Sequence, residues 1–188
     1  SGIYKTVDGG ERWERLSGGL PSGNVGRIGV DIYRTDPDIL YAVVENLNPK
    51  PDYEIPQEDG SFDHLRDPYF DRLIGGEVYR SVDAGNTWMK MNHDTVDVGS
   101  KAAYSFNQIM VDPKDYRNIY INSVSMQSSR DGGRTWNLVL AISENTGVTD
   151  AVFDPRDPDI LYAAAYQRRR HVWTLVDGGP ETAIHKST

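Results

Sequence analysis

The residues best equipped for chemistry in this 188-residue chain stand together in "AYQRRRHVWTLVDGG", residues 165–179. Three consecutive guanidinium groups, Arg168, Arg169 and Arg170, are flanked by Tyr166, His171 and Trp173. A guanidinium fork can grip a carboxylate at two points, and aromatic faces can stack against a sugar ring. The six residues are therefore candidates for binding an anionic or carbohydrate ligand. The plainer alternative is a surface loop whose arginines pair with acidic neighbours. Hydrolysis of a glycosidic bond needs two carboxylates across a cleft, or a tyrosine–glutamate nucleophile with arginines for an acidic substrate. The chain holds 28 acidic residues and eleven tyrosines, but no spacing singles out a pair. No residue is assigned a catalytic role.

Metal and phosphate chemistry find less support. The four histidines lack the short spacings of a zinc site. His64 stands among Asp59, Asp63 and Asp67, oxygens of the kind calcium takes, but a solvated acidic loop is the simpler reading. "GLPSGNVGRIG" (19–29) is glycine-rich without the Gly-Lys-Ser/Thr ending or following helix of a phosphate loop. Its glycines are expected instead to allow close packing near the centre of the fold. No cofactor and no metal are expected.

Composition narrows the partners. A net charge of −8 opposes binding to nucleic acid, whose phosphates need a basic face. Apolar runs such as "ILYAAAY" (160–166) are far shorter than the roughly 20 residues of a membrane helix, so no membrane insertion is expected. The absence of cysteine removes disulfides and thiolate metal sites and leaves the redox compartment open.

The elements that would position these residues are written as repeats. "TVDGGERW" (6–13), "SVDAGNTW" (81–88) and "SRDGGRTW" (129–136) share one pattern. Between them recur "VDIYRTDPDILYA" (30–42), "VDPKDYRNIYI" (111–121) and "FDPRDPDILYA" (153–163), each a strand, a tight turn and a second strand. "GIYKT", "EVYRS" and "AIHKS" alternate apolar and polar residues as half-buried strands do. The unit is three or four short strands repeated at close to 48 residues, with no helix. Residues 48–72 interrupt it, with seven acidic and three basic residues and no periodicity, and read as a long acidic surface loop. "VDGG" (176–179) lacks the hydroxyl residue and the tryptophan, and reads as a turn.

The repeated phrase explains itself physically. Asp8, Asp83 and Asp131 can each accept hydrogen bonds from backbone N–H groups just ahead and close a turn. Gly10, Gly85 and Gly133 supply positive φ. Trp13, Trp88 and Trp136 are then expected to bury their rings, each contributing on the order of 4–6 kcal/mol before entropy. These nine residues are read as structural.

The pattern Ser/Thr-x-Asp-x-Gly-x-Thr-Trp resembles the Asp-box, or bacterial neuraminidase repeat, of sialidases, xyloglucanases and sortilin-type receptors. The first box departs from it at Arg12, where the others carry Thr. "GLPSGNVGRIGVDI", "GGEVYRSVDAGNTW", "ENTGVTDAVFDPRDPDILYAAAYQRRRHVW" and "GGPETAIHKST" are similar to segments of large secreted bacterial sortilin-related or "glycosyl hydrolase" repeat proteins. In that family the "QRRR…GGP" segment precedes "GLP…GRIG", whereas here it follows. The resemblance implies an all-β β-propeller, here about four blades over residues 1–188, and an exported protein, extracellular or periplasmic. Because "SGIYK" opens directly in a strand-like run, a start cut from something longer is expected, and because neighbouring blades cover each other's faces, completion by further blades of its own polypeptide, another protein chain or self-association is expected. The expected role is a non-catalytic scaffold binding protein or glycan, with part of a glycoside hydrolase as the alternative.

Overall fold

Fourteen β-strands and no helix make up the computed structural model, which describes residues 1–51, 72–99, 107–171 and 173–187. A two-stranded hairpin comes first, β1 (Ile3–Lys5) and β2 (Glu14–Leu16), with Tyr4 opposite Arg15. Two four-stranded antiparallel sheets follow in chain order. One holds β3 (Val25–Ile32), β4 (Leu40–Pro49), β5 (Leu73–Ser81) and β6 (Met89–Lys90). The other holds β7 (Gln108–Val111), β8 (Ile119–Asn122), β9 (Met126–Ser129) and β10 (Asn137–Leu140). The last sheet branches, with β11 (Thr146–Phe153) on one edge of the long β12 (Leu161–His171). Beyond it β14 (Ala183–Lys186) pairs with β12 over Tyr162–Ala165, and β13 (Thr174–Asp177) pairs with its far end.

The sheets are propeller blades, stacked face on face. Tyr41, Val43 and Val78 of the first full blade meet Ile109, Ile119 and Ile121 of the second in one apolar cluster. Ala42, Val44, Tyr79 and Trp88 form another cluster, covered by Ile3 and Leu16 of the first hairpin. Met126, Val148, Ala151 and Ala163 join the last two blades. Strand alternation sends odd and even residues of β4 into different clusters, so the first full blade is buried on both faces.

Successive antiparallel strands put their connections at alternate ends. The turns joining β3–β4 and β7–β8 touch across the blades, where the Thr35 hydroxyl donates to the Pro113 carbonyl at 3.1 Å. The next turn joins the row, with Lys114 Nζ 3.2 Å from Asp159. The eight-residue repeats lie at this same end, since the Ala84 N–H donates to Asp38 and the Gly132 N–H to Arg117. The opposite end collects the described unrepeated connections: 17–24, 123–125, 141–145 and the β12–β13 hairpin.

Three features differ from the sequence reading. Residues 48–49 belong to β4, so the acidic insertion spans the neck closed by the Pro49–Leu73 pair and the Lys50 N–H on Arg72. Gly18 and Gly19 lie beside the outer part of the next blade, where an added Cβ would fall 2.4 Å from Asn86 O and 2.0 Å from Trp88 O. Within residues 19–29, Gly26 and Gly29 both lie in β3, Gly26 against the Glu45 carboxylate and Gly29 against the Asn107 carbonyl. Trp13 is not buried: 60% of it is exposed, against 5% for Trp88. Its hairpin covers the next blade with Ile3 and Leu16, and among the described residues nothing covers its other face.

Candidate functional site

The box residues form closed hydrogen-bond sets. Ser81 Oγ donates to Asp83 Oδ1 at 2.8 Å and accepts the Gly85 N–H at 2.9 Å. Asp83 Oδ1 accepts the Thr87 N–H at 2.8 Å, Oδ2 accepts the Thr87 hydroxyl at 2.6 Å, and the Trp88 indole N–H reaches the Gly85 carbonyl. Ser129, Asp131, Gly133, Thr135 and Trp136 repeat every one of these bonds. In the first box Thr6, Asp8, Gly10 and Trp13 keep the framework, but Arg12 offers only its backbone N–H to Asp8. Gly10, Gly85 and Gly133 take φ of 102°, 88° and 95°. The residue after each aspartate is left-handed as well, and in the second box that residue is Ala84, with φ 57°.

These bonds set the charge state. The Thr87 hydroxyl, its N–H and the Ser81 hydroxyl hold Asp83 down to about 2. At Asp131 burial pushes upward, but the Thr135 and Ser129 hydroxyls and the Thr135 and Arg134 N–H groups outweigh it and hold the carboxyl at about 2. Asp8 is lowered by the Arg12 N–H and the Thr6 hydroxyl. A carboxylate whose oxygens are spent on its own turn is a poor general acid or base near neutral pH.

The candidate ligand-binding residues lie at the other end. Arg168, Arg169, Arg170 and His171 extend β12 past its blade and pair with Asp177, Val176, Leu175 and Thr174 of β13. What the sequence offered as a loop is a β-hairpin. Tyr166 and Arg168 share a face by alternation, and the Tyr166 hydroxyl donates to Asp177, which raises its pKa. Trp173 stands at the hairpin tip, 82% exposed. At its base the Ser143 and Thr146 hydroxyls and the Gln167 amide all donate to Glu181 Oε2, and the two hydroxyls lower the Glu181 pKa.

A buried carboxylate escaped the sequence reading. Glu77, 5% exposed, receives Asn46 Nδ2 and the Tyr79 hydroxyl at 2.8 Å on Oε2 and Lys90 Nζ at 2.6 Å on Oε1. Only the mixed "EVYRS" pattern pointed to it, and there Glu77 looked like an outward polar residue. His64, Asp59, Asp63 and Asp67, the calcium-type set, lie outside the described residues. Among the described residues no group of three or more His, Asp or Glu is arranged to hold a metal. No described helix is long and apolar enough to cross a membrane.

No family model matches the chain, and no curated protein does. Solved structures similar to it include a GH74 enzyme of Niastella koreensis, at TM-score 0.47 and 16% identity, covering 82% of this chain and 22% of that one. An ancestral GH74 enzyme gives TM-score 0.47 and 15% identity over 88% of this chain and 25% of the other. The GH74 xyloglucanase from Xanthomonas campestris gives 0.41 and 14% over 95% and 26%. This chain thus spans about a quarter of the length of those structures.

Proposed function

We propose that the chain is a non-catalytic propeller module of an exported protein, binding a protein or glycan ligand through the end opposite its Asp-boxes. The observation that carries this reading is the segregation of the two ends. The turns of the repeated phrases lie at one end, and the described unrepeated connections, with the exposed Trp173 and the arginine-bearing hairpin, lie at the other. Loops held by a rigid scaffold are where recognition concentrates. The described carboxylates with depressed pKa values are engaged by neighbouring hydroxyls, N–H groups, guanidinium groups or, at Asp94, the Lys90 ammonium, which supports binding over hydrolysis.

A glycan array and a glycosidase-substrate screen test the reading together. Binding that disappears when residues 168–178 are replaced by a two-residue turn supports it. Turnover of any glycoside, lost on replacing a carboxylate at that end, sinks it in favour of a hydrolase. Export is tested separately, by locating the natural polypeptide in fractionated cells and medium.

A further inference from the structure

The β12–β13 hairpin has little of the blade behind it. Tyr162–Ala165 of β12 lie between β11 and β14, but β14 pairs no farther than Ala165 and β11 no farther than Gln167. The Arg168 N–H makes one more bond, to the Asn145 carbonyl at 2.8 Å. From there to His171 the register pairs of β12 are with β13. A two-stranded hairpin alone is marginally stable in water. The direction in which this one leaves the blade has to be set at its base.

One side chain gathers that base. Gln167 and Glu181 hold each other twice, the Gln167 amide donating to Glu181 Oε2 at 3.0 Å and the Glu181 backbone N–H to Gln167 Oε1 at 3.3 Å. The same Oε2 accepts the Ser143 hydroxyl at 2.6 Å, and the Thr146 hydroxyl as well. Glu181 thereby ties three segments: the 141–145 connection ahead of β11, the last β12 residue paired with β11, and the return from β13 to β14. The fit is close, since a Cβ on Gly179 would fall 2.1 Å from Gln167 Oε1. With its pKa lowered by the two hydroxyls, the carboxylate stays ionised near neutral pH. Bonds to an ionised acceptor are roughly twice as strong as neutral ones.

The repeat shows that a blade does not need this residue. The facing pairs Tyr41–Arg80, Tyr120–Ser128 and Tyr162–Lys186 bring the three sheets into register. Five residues before the second member of each pair stand Gly75, Ser123 and Glu181. Neither glycine nor serine has the reach of a glutamate, and the glutamate occurs in the sheet whose second strand runs on into a hairpin with β13. We propose that Glu181 is the positioning residue of the ligand end. It fixes the direction of the hairpin that carries Tyr166, Arg168 and Trp173, and it locks that hairpin to the 141–145 connection, so that a ligand meets the two as one rigid surface. A surface ordered beforehand costs a ligand less on binding. The assignment rests on the reading of that end as the ligand-binding one.

Amide hydrogen exchange on residues 1–188 tests the lock without any ligand. Glu181→Ala is expected to speed exchange at residues 168–171 at least about tenfold, through lost bonds to a charged acceptor, while residues 161–165 keep the parent rate. Glu181→Gln keeps an acceptor oxygen and is expected to restore most of the protection, with circular dichroism verifying the fold of both variants. Unchanged exchange at 168–171 in the alanine variant overturns the proposal. Equal acceleration along all of β12 overturns it too, by making Glu181 a support of the whole blade. A glycan array probed with the parent and the alanine variant tests the consequence for binding. A glycan bound by the parent is expected to bind the variant at least about tenfold more weakly, and unchanged affinity beside a loosened hairpin overturns the positioning role. A parent that binds no arrayed glycan, with exchange responding as expected, supports the lock and counts against glycan as the ligand.

Discussion

The Thr87 hydroxyl sits 2.6 Å from Asp83 Oδ2, and Thr135 repeats the contact with Asp131 at the same distance. Both carboxyls are held to about 2, below an unfolded-chain value near 3.8. Groups with depressed folded-state values stabilise the fold above the unfolded value and cease to do so as pH falls through the folded one. Stability is therefore expected to drop between about pH 4 and pH 2. Urea midpoints over that range should fall less steeply in an Asp83→Asn, Asp131→Asn double variant than in the parent.

Trp88 and Trp13 occupy the same place in the repeat and should respond differently to truncation. Trp88→Ala empties a buried site and is expected to cost about 3–5 kcal/mol. Trp13→Ala in the monomer should change stability by less than about 0.5 kcal/mol. Equal losses in denaturant titrations of dilute protein would mean that the first hairpin is covered in solution.

Ala84 holds a left-handed backbone at φ 57°, where the other two boxes carry Gly9 and Gly132. That conformation costs a residue with a Cβ roughly 1–2 kcal/mol, and glycine's extra unfolded-state entropy offsets part of the relief. Ala84→Gly is expected to stabilise by about 0.5 kcal/mol, read as an upward shift in the urea midpoint at unchanged slope.

Gly76 is needed for space. A Cβ there would lie 1.7 Å from the Val98 carbonyl oxygen, whose own N–H bonds back to Gly76 O. Gly76→Ala should push residues 97–98 away and cost about 1–3 kcal/mol. Thermal unfolding checks the loss, and a parent-like midpoint would refute the close approach.

The repeats were legible in the sequence because each is local: Asp83, Gly85 and Trp88 close one turn with bonds spanning two to four residues. The strand phrases were legible for the same reason, since Pro, Asp and Tyr mark both sides of each turn. Trp13 was misread because its burial depends on a neighbouring blade that eight residues cannot report. The β12–β13 hairpin was missed because "QRRRH" has no apolar alternation, and its strand character is inherited from register on β12 and imposed by β13. Glu77 was missed because its burial depends on Asn46 and Lys90, 31 and 13 positions away.

The neck at Pro49 and Leu73 has a practical consequence. Its register is fixed on the blade side by seven further facing pairs, Asn46–Gly75 to Leu40–Ser81. Doubling the length of a flexible segment hung there costs only about 0.6 kcal/mol in closure entropy. The site is a natural socket for a guest sequence: a foreign peptide or small domain can be grafted between residues 50 and 72 and displayed without renegotiating the scaffold beneath it.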